Sequence, residues 1–200
     1  MQTRTLGKDL QVSAVGLGCM GFSHAYGAPT ESGEAVRLLR RANAVCPVTA
    51  VQNRYSMMAR QYEALFPTLE ELGVGLVAFS PMANGFLTGS YGKDSRFDPK
   101  TDYRAGMPQF APGAIDQNQP LLDLLRRMAQ EKQATPAQIS LAWMLCKKPW
   151  IVPIPGTRKE ARMAENAGAA GVSLTPAEVA ALDQALDRVG MSGVFGVNKN

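Results

Sequence analysis

The chain alternates short apolar runs with longer segments in which apolar residues recur at helical spacing. The short runs are rich in valine or isoleucine, and they predict buried strands over residues 12–18, 48–52, 74–80 and 151–154. Helices are predicted over residues 34–45, 62–72, 121–133, 136–147, 158–167 and 176–189. Strands that alternate with helices pair in parallel through crossover helices, so the pattern indicates an α/β barrel or an open doubly wound sheet.

Three of the predicted helices start with the same local signal, a threonine followed three residues later by glutamine or glutamate. The pairs are Thr135 with Gln138, Thr157 with Glu160, and Thr175 with Glu178. Each pair can form a capping box, in which the two side chains satisfy each other's free backbone amides. We therefore predict that helices begin directly after Thr135, Thr157 and Thr175.

A long aperiodic segment, residues 84–119, separates the third predicted strand from the next helices. Loops of this length are either functional covers or flexible insertions, and the sequence leaves both interpretations open. Its aromatic residues favour an ordered segment, and they are Phe86, Tyr91, Phe97, Tyr103 and Phe110.

Composition narrows the class of protein without identifying it. The 200 residues are 46% hydrophobic and 19% charged, which suits one soluble domain with a single core. The net charge of +4 is too small and too scattered to indicate nucleic-acid binding. Three widely spaced cysteines suggest neither a disulfide framework nor a zinc site. No run approaches the roughly 20 apolar residues of a membrane helix, so we expect a cytoplasmic protein.

Two segments are candidates for binding an anion. Residues 16–21 match the pattern G-x-G-x-x-G after a strand, but no helix opens at the third glycine, which argues against a Rossmann site. In residues 154–162 a predicted strand ends at Gly156 and a helix comes next, with Arg158 and Lys159 in its predicted first turn and Arg162 one turn later. Cations at that end oppose the helix dipole unless an anion binds there, although a solvated basic face is the simpler alternative.

Several segments, in order, resemble the aldo-keto reductase family. Residues 4–7 and 12–21 resemble its N-terminal hairpin and first barrel strand, and residues 51–56, 79–89 and 154–166 resemble its sixth, seventh and eighth strands with their loops. The resemblance implies an α/β fold of the (β/α)8 TIM-barrel type that is incomplete and retains strands 1, 6, 7 and 8.

The resemblance also implies NADPH as cofactor and a set of residues that contact it. Gln52 would contact the nicotinamide carboxamide, and the 2′-phosphate and adenine would be held after the eighth strand. The residues expected around the nicotinamide and pyrophosphate are Phe79, Ser80, Pro81, Met82, Asn84 and Leu87. Those expected around the phosphate and adenine are Gly156, Thr157, Arg158, Arg162, Glu165 and Asn166. Those expected in a substrate pocket are Met20, His24 and Tyr26.

The segments that would carry family catalysis are not found in the sequence. Catalysis in the family uses an aspartate, tyrosine, lysine and histidine, and the tyrosine protonates a carbonyl oxygen as the nicotinamide delivers hydride. Residues 34–40 resemble the first barrel helix and residues 41–45 the helix before the sixth strand, which places an internal deletion near residues 40–41 of one domain. The implied function is NADPH-dependent reduction of aldehydes or ketones with little activity. The alternatives are an NADPH-binding regulatory module, an inactive remnant, or an incomplete chain.

We expect the chain to self-associate, because an incomplete barrel leaves strand edges unpaired and part of its interior uncovered. Light scattering from the purified chain should therefore detect species larger than one copy. A monodisperse monomer with a cooperative melting transition would contradict this expectation.

Overall fold

The computed structural model describes residues 2–18 and 28–194, which form two compact units. Of the described residues, one unit comprises 2–18, 28–49 and 67–74, and the other comprises 50–66 and 75–194. The strands are β1 (Thr3–Leu6), β2 (Leu10–Ser13), β3 (Ala50–Arg54), β4 (Gly75–Phe79) and β5 (Ile151–Pro153). The helices are α1 (Ser32–Val45), α2 (Phe66–Leu72), α3 (Ala114–Gln117), α4 (Gln119–Glu131), α5 (Pro136–Lys147), α6 (Glu160–Gly168) and α7 (Pro176–Arg188).

The first unit contains the predicted N-terminal hairpin, in which β1 and β2 pair antiparallel with Thr3 opposite Ser13. The strand predicted over residues 12–18, expected as the first barrel strand, was wrong, because only Val12 and Ser13 are extended and they belong to β2 of the hairpin. The Ser13 hydroxyl donates to the Val15 carbonyl at 3.0 Å, and the chain leaves the ladder there. Val15 and Leu17 are consequently 70% and 62% exposed.

Helix α1 also belongs to the first unit and is continuous from Ser32 to Val45. The Glu31 carboxylate caps its start by accepting from the Glu34 amide at 3.2 Å. Arg40 forms an ion pair with Glu71. The helix therefore passes through residues 40–41 without an interruption.

The second unit contains a parallel sheet in the order β3-β4-β5. The strands predicted over residues 48–52, 74–80 and 151–154 are confirmed, with their ends shifted by one or two residues. In residues 2–18 and 28–194, no strand pairs with the outer edge of β3 or β5. The described sheet is therefore an open three-stranded segment.

One face of this sheet is buried and the other is open. Leu76, Ala78 and Ile151 are at most 2% exposed, whereas Val152 is 55% exposed and Gln52 on β3 is also exposed. Helix α5 contacts β5 and three other helices, α4, α6 and α7. Within the described ranges no helix is both long and apolar enough to span a membrane.

The capping boxes at Thr135 and Thr175 are confirmed, and each contains both reciprocal hydrogen bonds. The box predicted at Thr157 was wrong, because α6 begins at Glu160 and its N-cap is Lys159. The Thr157 hydroxyl instead accepts from the Lys159 amide at 3.1 Å. This local turn uses the threonine oxygen three residues before the helix starts.

A buried ionic cluster links α5, α7 and the turn after β3. The Lys147 ammonium contacts Glu63 at 2.6 Å and Asp183 at 3.1 Å, and its side chain is only 12% exposed. The Tyr55 hydroxyl donates to Glu63 at 2.6 Å, and the Trp143 indole donates to Asp183 at 2.9 Å. Each carboxylate therefore has both a cation and a neutral donor.

We predict that Lys147→Met lowers the free energy of unfolding by about 2 kcal/mol, because it removes the cation between two partly buried carboxylates. Among the described residues, Glu63 would then have no ion-pair partner, and Asp183 would keep only Arg60 at 4.0 Å. Urea denaturation measures this change. The exposed Lys100→Met is the control, and the double variant Lys147→Met with Asp183→Asn should lose less than the sum of its single changes. A loss at Lys147 no larger than that at Lys100 would contradict the prediction.

Candidate functional site

A cavity of about 640 Å³ lies at the carboxyl ends of β4 and β5, entirely within the second unit. Five segments line it: the turn after β4, part of the long loop, the start of α5, the turn after β5, and α6. Carboxyl ends of neighbouring parallel strands meet at one sheet edge, which is where α/β proteins place their binding sites. The volume lies in the range typical of small-molecule sites.

The turn after β4 has a strained backbone. Ser80, Ala83 and Asn84 have φ angles of 50°, 47° and 60°, in the left-handed region that side chains other than glycine rarely adopt. Such conformations persist only where surrounding contacts hold them, and they concentrate at functional sites. Ser80 and Asn84 line the cavity, so the strain lies in its wall.

Gln109 from the long loop holds this turn. Its side chain is completely buried, and its amide donates to the Ala83 carbonyl at 3.2 Å and to the Asn84 side-chain oxygen at 3.4 Å. The Asn84 amide in turn donates to the Tyr103 hydroxyl at 3.0 Å. The long loop thus fixes the shape of the wall beyond β4.

The turn after β5 and helix α6 supply most of the cationic groups. Arg158 and Lys159 precede α6, so the prediction that they occupy its first turn was wrong. Arg162 lies in the first turn and forms a 2.5 Å ion pair with Glu165. The cations therefore flank the helix start instead of occupying the first turn together.

Arg104 from the long loop also lines the cavity, and several contacts fix its position. Its guanidinium lies 2.5 Å from the Asp102 carboxylate and 2.5 Å from the Tyr91 hydroxyl. It also lies over the rings of Tyr91 and Phe97, 5.1 Å and 4.5 Å from their centroids. Hydrogen bonds from Arg104, assisted by the charge of Arg158, lower the pKa of Asp102 to about 2. Asp102 therefore stays ionised at neutral pH.

The long loop as a whole is ordered by its aromatic residues. Phe86, Tyr91, Phe97 and Phe110 form one group of rings with centroid separations of 4.8–5.7 Å. The interpretation that favoured an ordered segment is confirmed by these contacts and by the short helices within the loop.

The charge of the lining favours an anionic ligand. Its cations are Arg104, Arg158, Lys159 and Arg162, whereas Glu165 is the one carboxylate in the lining. Arg104 pairs with Asp102 and Arg162 pairs with Glu165. Within the described ranges, Arg158 and Lys159 form no ion pair, although the charge of Arg158 also acts on Asp102.

Ten of the thirteen cofactor residues expected from the sequence line this one cavity, and they are Ser80, Pro81, Met82, Asn84, Gly156, Thr157, Arg158, Arg162, Glu165 and Asn166. Three do not line it: Leu87 is fully buried, and Gln52 and Phe79 lie on β3 and β4. Met20, His24 and Tyr26 lie outside the described residues. Tyr91 and Arg104 were missed as lining residues, because nothing periodic in the loop sequence marks them.

Comparisons with known proteins point to one family. A sequence model described as "Aldo/keto reductase family" matches residues 18–187. The aldo-keto reductase str7 of Strobilurus tenacellus is 40% identical over 152 residues, which cover 74% of this chain and 45% of that protein. The chain therefore spans about half the length of this curated relative.

Solved structures show a similar fold. The glycerol dehydrogenase of Gluconobacter oxydans superposes with a TM-score of 0.70 at 23% identity, covering 85% of this chain and 51% of the other. A thermostable aldo-keto reductase in complex with the inhibitor epalrestat gives a TM-score of 0.52 at 26% identity, with coverages of 74% and 44%.

We predict that Arg104→Lys lowers the free energy of unfolding by about 1–2 kcal/mol, because lysine lacks the planar fork that contacts Asp102 and stacks on two rings. It should also make residues 84–119 more sensitive to limited proteolysis. Arg96→Lys is the matched control, since Arg96 is exposed and donates only to backbone carbonyls. Equal stability and equal cleavage in the two variants would contradict the prediction.

Proposed function

Since the chain belongs to the aldo/keto reductase family, we propose that its cavity binds NADPH and that the chain reduces carbonyl compounds very slowly. The observation that supports this proposal is the overlap of two independent patterns in one cavity. The family pattern places the cofactor phosphates after β4 and β5, and the unpaired cations Arg158 and Lys159 lie there.

The residues present suit a phosphorylated nucleotide. Guanidinium groups form two parallel hydrogen bonds with phosphate oxygens, which makes arginine an effective phosphate ligand. Arg158 and Arg162 would hold the 2′-phosphate, which distinguishes NADPH from NADH. The first amides of α6 add the positive end of a helix dipole. NADPH, when bound, would supply the hydride.

The proposal assigns β3, β4 and β5 to the sixth, seventh and eighth strands of the family barrel. The parallel order β3-β4-β5 and the cavity after the last two strands support this assignment. The chain is then one domain shortened near residues 40–41, within the continuous helix α1. The open face of the sheet corresponds to the side that the absent strands would cover.

Low turnover is proposed because the family's catalytic aspartate, tyrosine, lysine and histidine are not found in the sequence. Tyr55 does not replace the missing proton donor. Its side chain is completely buried, its hydroxyl donates to Glu63, and burial raises its pKa well above the ordinary value. A phenol held in this way cannot reach a ligand or transfer a proton at neutral pH.

The second candidate is an NADPH-binding regulatory module, or an inactive remnant, without turnover. The cavity favours it, because the groups expected to hold phosphate are present while those expected to transfer a proton are not. NADPH binding without carbonyl-dependent NADPH oxidation would support this candidate over a slow reductase.

We predict that Arg158→Ala weakens NADPH binding by about 10–100-fold, the effect of losing a charge-assisted hydrogen bond to phosphate. Arg162→Ala should act in the same direction. The affinity for NADH should change less than about twofold, because NADH carries no 2′-phosphate. Fluorescence titration of the reduced cofactors measures each dissociation constant.

Arg127→Ala is the control for these variants, because Arg127 is exposed on α4 and does not line the cavity. Circular dichroism should show that all variants keep the fold. Equal affinity of the unmodified chain for NADH and NADPH would remove the basis for a 2′-phosphate site.

A further inference from the structure

The cofactor residues expected from the sequence fall into two groups that the structure separates. Those expected to hold the phosphates and adenine line the cavity, whereas Gln52 and Phe79, expected at the nicotinamide, do not. Building on the proposed function, we propose that the chain binds NADPH through its adenosine bisphosphate end alone. It therefore does not distinguish NADPH from NADP⁺.

The register of the sheet places Gln52 and Phe79 on the open face. Gln52 pairs with Val77, and Val77 pairs with Val152. Arg54 pairs with Phe79 two residues further along the same strands. Because side chains alternate along a strand, Val77 and Phe79 share one face, and Leu76 and Ala78 share the other.

Side chains on this face of the sheet are more exposed to solvent than those on the opposite face. Val152 is 55% exposed and Gln52 is exposed as well, whereas Leu76 and Ala78 on the opposite face are 2% and 0% exposed. Phe79 is half-buried. Among residues 2–18 and 28–194, a nicotinamide ring placed here would meet one wall of protein and remain in contact with water. A hydrogen bond to a solvated amide contributes little, because water competes for both partners.

The adenosine bisphosphate end is in a different environment. Arg158, Lys159 and Arg162 lie around the start of α6, and Arg104 from the long loop lines the same cavity. Charged groups held in a concave site bind an anion more strongly than the same groups on a flat surface. We therefore expect contacts between these cations and the phosphates to supply most of the binding free energy.

Equal binding of the two redox forms is a direct consequence. NADPH and NADP⁺ share the adenosine bisphosphate and differ only at the nicotinamide ring. A protein discriminates two ligands only through contacts that differ between them. Without an enclosed nicotinamide subsite, the chain responds to the total concentration of NADP⁺ and NADPH and not to their ratio.

Isothermal titration calorimetry with the purified chain tests the proposal through a panel of ligands. NADPH, NADP⁺ and adenosine 2′,5′-bisphosphate should bind with dissociation constants within about threefold of one another, a difference of about 0.7 kcal/mol. NADH should bind at least about tenfold more weakly, and reduced nicotinamide mononucleotide should give no heat of binding. Arg158→Ala should weaken the first three ligands in parallel, and Arg127→Ala should leave them unchanged.

The outcomes separate this inference from the proposed function. If NADPH binds but adenosine 2′,5′-bisphosphate binds more than about 30-fold more weakly, the nicotinamide end contributes and the inference is overturned while the NADPH site stands. A preference of more than about tenfold for NADPH over NADP⁺ overturns it in the same way. If none of the phosphorylated ligands binds, the proposed NADPH site itself is refuted.

Discussion

Parallel pairing of β4 with β5 is the constraint on which the cavity depends. It brings the turn after Phe79 and the turn after Pro153 to the same sheet edge, although about 70 residues separate them along the chain. Leu76 and Ala78 on β4 and Ile151 on β5 are buried on the face of the sheet opposite the open face. The long loop and α6 contribute further lining residues to the same cavity.

Local signals in the sequence were sufficient for much of this architecture. Apolar runs located β3, β4 and β5, and the capping boxes at Thr135 and Thr175 located the starts of α5 and α7, because both kinds of signal depend on neighbouring residues alone. The same signal failed at Thr157. Its hydroxyl has two amides within reach, and the sequence does not show whether the third residue or the second will bind it.

The lining residues that the long loop contributes were not predictable from local patterns. Arg104 reaches its position through Asp102, Tyr91 and Phe97, contacts that form only after the loop has folded. The contact made by Gln109 was not predictable either, because its amide donates to a strained turn about 25 residues earlier in the chain. A loop without periodicity offers no signal for contacts of this kind, so charge and aromatic content were the only guides.

Helix α1 fits the internal deletion proposed near residues 40–41, because a helix can lose residues and remain regular. Each residue removed from a helix shortens it by about 1.5 Å and rotates the downstream residues by about 100° around the helix axis, without altering any backbone torsion. None of its side chains is buried, so such a rotation carries no core residue into water. A helix formed by joining two helices end to end therefore tolerates the removal of residues. Removing one residue within β4 would instead exchange its buried and open faces.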